Sequence, residues 1–494
     1  MVKEPVMTTT IRIHPDNPKL FEFRGKPLVL VCATEHYGAV MNRPFQFERY
    51  LLDAYEKKQT LTRLFVLFRE QQSPFNPYST CKPESPDFIA PFARTGKGKA
   101  LDWQTLYDLE QWNPEFFERL HRFLSLASTY GIIVELTLLS NTYGPDVWAL
   151  NPLNSKNNVN NLEEINWPEY MSLRHPKLLE WQLRHVRKIV EETNGYDNLI
   201  YEICNEPGGG FAADPRNPTP SEVNEWQAVI ARTIRETEAA LPNKHLIVGQ
   251  EAFTYEPWEQ TSDLSFRDEL FDAVNIHPLP NTTYAGTAYE LGEFMSKQLK
   301  LRSFRNYCLA VYDERKPLNM DEDNIASQYK DPDGWTIHRK RAWTALLSGA
   351  HYDVIDFSII NYCETGTPQS QKHLRTWMRI LSEFVHSIDL IHAKPLPSFV
   401  TAVSAPLLDA AFGVVGKEIH IYLADERELA EGSGESIRHA EISFKLPAGA
   451  CRVSYFSPVS GLPSPSITVQ GGGEVCLKLP EFRHDLLVRV TSEE

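Results

Sequence analysis

The 494-residue chain lacks any excess of positive charge: 50 Lys and Arg stand against 65 Asp and Glu, a formal charge of -15. Nucleic acid and anionic membrane surfaces, which are held by basic patches, are therefore poor partners, and a neutral ligand fits better. No apolar run approaches the roughly 20 residues that span a bilayer. The start, Met1-Val-Lys-Glu-Pro-Val-Met, lacks the apolar stretch of a signal peptide, so the expected location is the cytoplasm. The seven cysteines include no CxxC pair and no zinc-ligand spacing, so they read as reduced thiols packed as small hydrophobes. Internal repeats and low-complexity tracts are absent as well.

What is present is an ordinary globular composition, 42% hydrophobic and 23% charged, in a chain long enough for two or three units. Short apolar runs alternate with amphipathic stretches from Lys26 to about Ile388. The expected strands are Pro27 to Ala33, Thr60 to Phe68, Ile132 to Leu139, Asn198 to Asn205, His245 to Gln250, Phe271 to Ile276, Tyr307 to Tyr312 and Asp353 to Phe357. Alternation of this kind predicts an α/β fold, a (β/α)8 TIM barrel over residues 1–394, with its active site at the C-terminal ends of the strands. After Lys394 the pattern turns strand-rich, with turns at Gly461, Pro463 and Gly471 to Gly473. A smaller antiparallel β-sandwich is expected over 395–494. With no aromatic strip on alternating positions there, buttressing the barrel is its default role, ahead of carbohydrate binding or assembly into a homo-oligomer.

The fourth strand, Asn198-Leu-Ile-Tyr-Glu-Ile-Cys-Asn205-Glu206-Pro207, is apolar until it ends in Asn-Glu-Pro. Glu206 then stands where the core first meets solvent, suited to protonating a departing oxygen. Retaining glycoside hydrolysis needs a second carboxylate about 5 Å away. The run Asn306-Tyr-Cys-Leu-Ala-Val-Tyr-Asp-Glu314-Arg315 repeats the design three strands later, which makes Glu314 the expected nucleophile. Its negative charge and partial burial should raise the pKa of Glu206. Glu251 and Glu364, after strands five and eight, are the alternative nucleophiles.

These motifs resemble the clan A glycoside hydrolases, the cellulase-like (β/α)8 enzymes, over about Phe21 to Ile388. The resemblance implies a retaining β-glycosidase, with Glu206 as acid/base, Asn205 as the amide on the sugar 2-hydroxyl and Glu314 as nucleophile. It also implies that Arg63, on the second strand, reaches toward the nucleophile and that His277 ends the sixth strand. Two departures stand out. Leu279 occupies the position of an aromatic that usually follows that histidine, leaving Tyr284 or Tyr312 to contact the nucleophile. The last strand, ending in Phe357-Ser358, lacks the tryptophan platform of many members, leaving Asn361 or Tyr362.

Glu35 and His36, in the first loop, are candidate partners for substrate hydroxyls. Trp148, Trp167, Trp258 and Trp335 fall in expected loops, where an indole face would stack on a sugar ring. A metal-dependent barrel hydrolase is the first rival, yet His36, His277, His351 and His392 follow no spacing that gathers three on one ion. The second rival is a non-catalytic carbohydrate-binding protein on the same scaffold. No cofactor is expected.

Overall fold

The computed structural model describes residues 9–35, 38–67, 86–208, 216–252, 263–278, 300–323, 333–427 and 434–493. Eight strands form one parallel sheet that curls into a nearly closed barrel. They are β1 Val31–Thr34, β2 Leu61–Phe65, β3 Ile133–Ser140, β4 Leu199–Asn205, β5 Leu246–Gly249, β6 Ala273–Ile276, β7 Leu318–Asp323 and β8 His351–Ile355. Neighbours pair in parallel from β2 round to β8 and on to β1. At the seam between β1 and β2, Thr60 supplies the closure: its N–H donates to the Val31 carbonyl at 3.1 Å and its hydroxyl accepts from the Val31 N–H at 2.9 Å.

The helices follow from local chemistry. In α1 (Phe47–Glu56) and α2 (Pro114–Tyr130), apolar residues at helical spacing face the sheet. Asn113 caps α2 by accepting from the Glu115 N–H, and Gly131 ends it in the left-handed conformation at φ 71°. Helix α3 spans Pro176–Thr193, and α4 (Pro220–Glu238) opens on a Thr219/Glu222 capping box.

One expected strand is a helix. Tyr307 to Tyr312 belongs to α5 (Leu301–Ala310) and the turn after it, and the seventh strand lies further on at Leu318–Asp323. Leu301, Phe304, Tyr307 and Cys308 are buried together, a helical spacing, whereas a strand would have buried every second residue. Glu314 consequently sits in the turn that leads into the base of β7, at the N-terminal face of the barrel. Tyr312 is at that same face. It packs on Gly349, where an added Cβ would come within 2.4 Å of its ring.

A small antiparallel sheet of Arg12–Ile13, Phe21–Phe23 and Lys26–Leu28 plugs the barrel base. Phe21 and Phe23 join Leu61, Ile133, Ile200 and Val248 in an apolar layer. Above it the interior turns polar, with Arg63, Glu135, Glu202, Asn275, Asp321 and Asp353 all buried.

Helices α6 (Asp333–Leu347) and α7 (Leu374–Val385) carry the chain to the C-terminal region. There a six-stranded antiparallel sheet, including Leu407–Val414, Glu418–Asp425 and Asp485–Ser492, faces a three-stranded one that includes Glu441–Leu446. Ile421, Leu423, Ile442, Phe444 and Val488 fill the space between. A second apolar cluster joins this region to the barrel, because Trp343 of α6 stacks on Tyr422 at 5.6 Å while Phe384 of α7 meets Phe456 at 5.5 Å. No helix among the described residues is long and apolar enough to cross a membrane, and the six cysteines among them are free thiols; Cys81 lies outside the described residues.

The four consecutive residues His338, Arg339, Lys340 and Arg341 of α6 are all buried. His338 and Arg341 turn to Asp323 of β7. Arg339 clamps Asp485 with two hydrogen bonds of 2.8 and 3.0 Å while lying on the Trp377 ring, and Lys340 donates to the Asp425 carbonyl at 2.8 Å. The helix is thus tied to the barrel on one side and to the C-terminal sheet on the other. Arg339→Met would strand the Asp485 charge in a dry interface, at a cost of about 3–5 kcal/mol. The expected result, read by calorimetry and denaturant titration, is a lower midpoint for a single transition of the whole chain; an unchanged midpoint would contradict the bracing role.

Candidate active site

Arg63 is the organising charge of the barrel mouth. It projects from the middle of β2 and is buried, where an unpaired guanidinium would cost several kcal/mol. Four carboxylates meet it. Nη2 donates to both oxygens of Glu202 at 2.6 and 2.8 Å, Nη1 donates to Glu322, and Nε lies 3.3 Å from both Glu135 and Asp321. Burial opposes the charge, but these neighbours outweigh it and hold the guanidinium firmly protonated. Nη2 also donates to the Asn205 side-chain oxygen at 3.0 Å.

Two glutamates leave their strands beside this arginine. Glu206 follows β4 directly and Glu322 is the penultimate residue of β7. Both have left-handed backbones, φ 47° and φ 49°, which cost of order 1–3 kcal/mol each in a non-glycine residue. At Glu322 the cause is a β-bulge. Met320 pairs with Tyr352 and Asp323 with Val354, so three steps along β7 match two along β8. The extra residue turns the Glu322 side chain toward the mouth. One oxygen each of Glu206 and Glu322 and one nitrogen of His277 lie within 4.8 Å of one another.

His277 bridges the two strand ends. Nδ1 is 3.1 Å from Glu206 and Nε2 is 3.1 Å from Asp321. Burial would lower the imidazole pKa, but Glu322, Asp321 and Glu206 together raise it well above its usual value, so the ring is an imidazolium donating from both nitrogens. Glu206 responds in the opposite sense to the expectation. Burial pushes its carboxyl up, but the hydrogen bond and charge of His277, with a 2.5 Å hydrogen bond from the Tyr143 hydroxyl, hold it below the usual range. The charge of Arg63 acts in the same direction. The proton of the pair therefore rests on the imidazole side.

Of the residues singled out in the sequence, Arg63, Asn205, Glu206 and His277 converge. Asn205 accepts from Arg63 and donates to the Tyr143 hydroxyl at 2.6 Å. Glu314 does not join them: it pairs with Arg267 at 3.1 Å on the opposite face of the barrel. Glu35 ends β1 but folds its carboxylate back onto the Gly38 and Ala39 N–H groups at 2.7 and 3.2 Å; burial pushes its pKa up to about 7. Trp148 and Trp335 are core residues, packed on Tyr170 and His373 respectively, and neither offers an open face. Asn361 donates to Asn42 at 3.3 Å, and Tyr362 beside it is largely exposed. Glu364 is buried under that loop, accepting from the Gln46 and Tyr362 N–H groups, and Glu251 accepts from the Leu264 N–H. His36, Trp258, Leu279 and Tyr284 lie outside the described residues.

Sequence reading missed Glu322, Tyr143 and Glu202. The acidic run Asp321-Glu322-Asp323 was the available signal for the first, because three carboxylates crowded in one segment need a buried cation, and Arg63 is one.

Two trios have the spacing of a metal site, Glu202/His277/Asp321 and Glu206/His277/Glu322. In both trios a carboxylate is already paired with a cation, since Arg63 supplies positive charge to Glu202, Asp321 and Glu322.

A family model described as a domain of unknown function (DUF6298) matches residues 82–177. That segment holds the hairpin Phe92–Arg94/Tyr107–Trp112, α2, β3 and the loop bearing Tyr143. No curated protein matches the sequence. Among solved structures, a glycoside hydrolase superposes with a TM-score of 0.57 at 9% identity, covering 98% of this chain and 97% of its own. A family 5 glycoside hydrolase from Bacteroides vulgatus gives 0.57 at 12% identity, covering 98% and 93%. A candidate glycoside hydrolase from the same species gives 0.63 at 13%, covering 99% and 83%. The chain thus has the fold of these glycoside hydrolases, barrel and C-terminal sheets together.

The imidazolium state of His277 carries a pH signature. Because the folded pKa is raised, its stabilising contribution is fully present below the unfolded value of about 6.5 and is lost as pH rises through the folded value. The stability advantage of the wild type over His277→Gln should therefore shrink as pH climbs above neutrality. Side-chain 15N NMR should find both ring nitrogens protonated at pH 7.5; a neutral ring there would contradict the assignment.

Proposed function

We propose that this protein is a retaining β-glycosidase acting on neutral oligosaccharides or glycosides, with Glu322 as nucleophile and Glu206 as acid/base. The observation that carries the reading is that one oxygen of Glu206 lies within 4.8 Å of one oxygen of Glu322 at the barrel mouth. Double displacement requires about 5 Å, and inversion leaves room for a water at about 6.5–9.5 Å. Glu322 takes the role expected of Glu314.

Each neighbour has a part. Arg63 keeps Glu322 ionised and aimed, since a carboxylate paired with a buried guanidinium resists protonation. Glu322 attacks the anomeric carbon as the glycosidic C–O bond breaks, and the electron pair stays on the leaving oxygen. That oxygen takes its proton from Glu206. The proton comes by relay: the His277 imidazolium, 3.1 Å away, passes its proton to Glu206 as Glu206 protonates the oxygen, which leaves Glu206 a carboxylate and His277 neutral until the proton taken from water in the second half restores the pair. In the second half, Glu206 removes a proton from water as the water displaces Glu322. Tyr143 fixes the Glu206 carboxylate from the other side and orients Asn205. Negatively charged sugars would meet repulsion from a chain of charge -15, which favours neutral substrates.

A panel of nitrophenyl β-glycosides tests the proposal. Glu322→Gln and Glu206→Gln should each lower kcat by about 10²–10⁴-fold, while Glu314→Gln leaves turnover unchanged. Azide should rescue Glu322→Gly and yield a glycosyl azide of inverted configuration. NMR of the first product should show the anomeric configuration of the substrate. Loss of turnover in Glu314→Gln with full turnover in Glu322→Gln would remove the mechanism.

A further inference from the structure

At the bulge in β7 a side chain of the neighbouring strand takes up the Glu322 backbone: Asp353 Oδ1 of β8 accepts from the Glu322 N–H at 2.8 Å. Asp353 itself is completely buried. No donor reaches its other oxygen, Oδ2. Its carboxyl is instead in hydrogen-bond contact with that of Asp321. Asp321 is spoken for as an anion, receiving hydrogen bonds from Asn275, Asn319 and His277 and facing the Arg63 Nε at 3.3 Å.

We infer that Asp353 is a positioning residue for Glu322, working as a neutral acid: it accepts the Glu322 N–H on one oxygen and donates its own proton to Asp321 from the other. Two carboxylates in contact inside a protein cannot both be ionised, so one proton must lie between them. Asp321 has three donor side chains and the Arg63 guanidinium holding its charge, whereas Asp353 has the single Glu322 N–H, which assigns the proton to Asp353. Burial, then the adjacent Asp321 charge, push the Asp353 pKa well above the usual carboxylate range, in agreement with that assignment. The consequence reaches the mouth of the barrel. Asp353 is buried beneath the mouth, and it acts through the left-handed turn that aims Glu322, which it holds together with the Arg63 pair.

The inference rests on Glu322 acting as nucleophile, and its test separates the two ideas. Infrared difference spectra of wild type against Asp353→Asn at pH 7 should show loss of the carbonyl band of a protonated carboxylic acid, whatever the reaction; no such band would overturn the inference. A crystal structure of Asp353→Ala should show Glu322 displaced from Arg63, and an undisturbed bulge would equally overturn it. Covalent labelling by 2,4-dinitrophenyl 2-deoxy-2-fluoro-β-glycosides of the gluco, galacto and manno series reads the nucleophile directly, because that leaving group needs no acid. Asp353→Asn keeps an acceptor and a donor in place and should label within about threefold of wild type. Asp353→Ala should label about 10²-fold more slowly, the scale of a small misplacement of a reacting group, with kcat lowered and KM little changed. Equal rates in wild type and Asp353→Ala would sink the positioning role. Failure of the wild type to label would count against the glycosidase reading, leaving the infrared and crystallographic arms to decide the role of Asp353.

Discussion

The barrel mouth is built around one buried guanidinium. Arg63 is the only cation in contact with Glu135, Glu202, Asp321 and Glu322 among the described residues apart from His277, and without it those carboxylates would repel one another in a low-dielectric interior. Its planar fork reaches three strands at once. That geometry sets where β3, β4 and β7 stand relative to β2 at the mouth of the barrel. A lysine would supply the charge but not the simultaneous hydrogen bonds, so the arrangement depends on the shape of the cation as much as on its sign.

Two left-handed backbones stand within that charge network. Glu206 and Glu322 both carry left-handed backbones, and both side chains are engaged by charged partners, His277 for one and Arg63 for the other. Conformations that would relax in isolation are held because relaxing them would break a buried ion pair. The surroundings of the network are stiff for a related reason. Helix α6 follows β7 in the chain, and its buried polar side chains are divided between Asp323, the neighbour of Glu322, which His338 and Arg341 meet, and the C-terminal sheet, where Arg339 pairs with Asp485 and Lys340 donates to the Asp425 carbonyl. The C-terminal region is thereby part of the support of β7, in keeping with the shared apolar cluster around Trp343, Phe384 and Phe456.

Seven of the eight barrel strands were legible in the sequence, because each buries an apolar run between helices. The seventh was not. Its residues, Leu318-Asn-Met-Asp-Glu-Asp323, are polar because they face the charged upper layer of the barrel, so by composition they read as a loop. The apolar run Tyr307 to Tyr312 looked like the missing strand, and only its spacing with Leu301 and Phe304 marks it as helix. That one misreading moved the expected nucleophile from one end of the barrel to the other. Trp148 and Trp335 failed for a simpler reason: large aromatics in segments that look irregular are as readily recruited to the core as left open to ligand.

Sequence alone determined the barrel class, the strand-rich C-terminal region, the placing of Arg63 on the second strand, and that of Asn205, Glu206 and His277 at strand ends. Those features are local, written in apolar runs and in the polar residues that end them. The partner of Glu206, the protonation of His277 and the bulge at Glu322 were decided only by tertiary structure. They arise from charges brought together by strands as far apart in sequence as Arg63 and Glu322, and the energy of a buried charge depends on what surrounds it in space, which no run of neighbouring residues records.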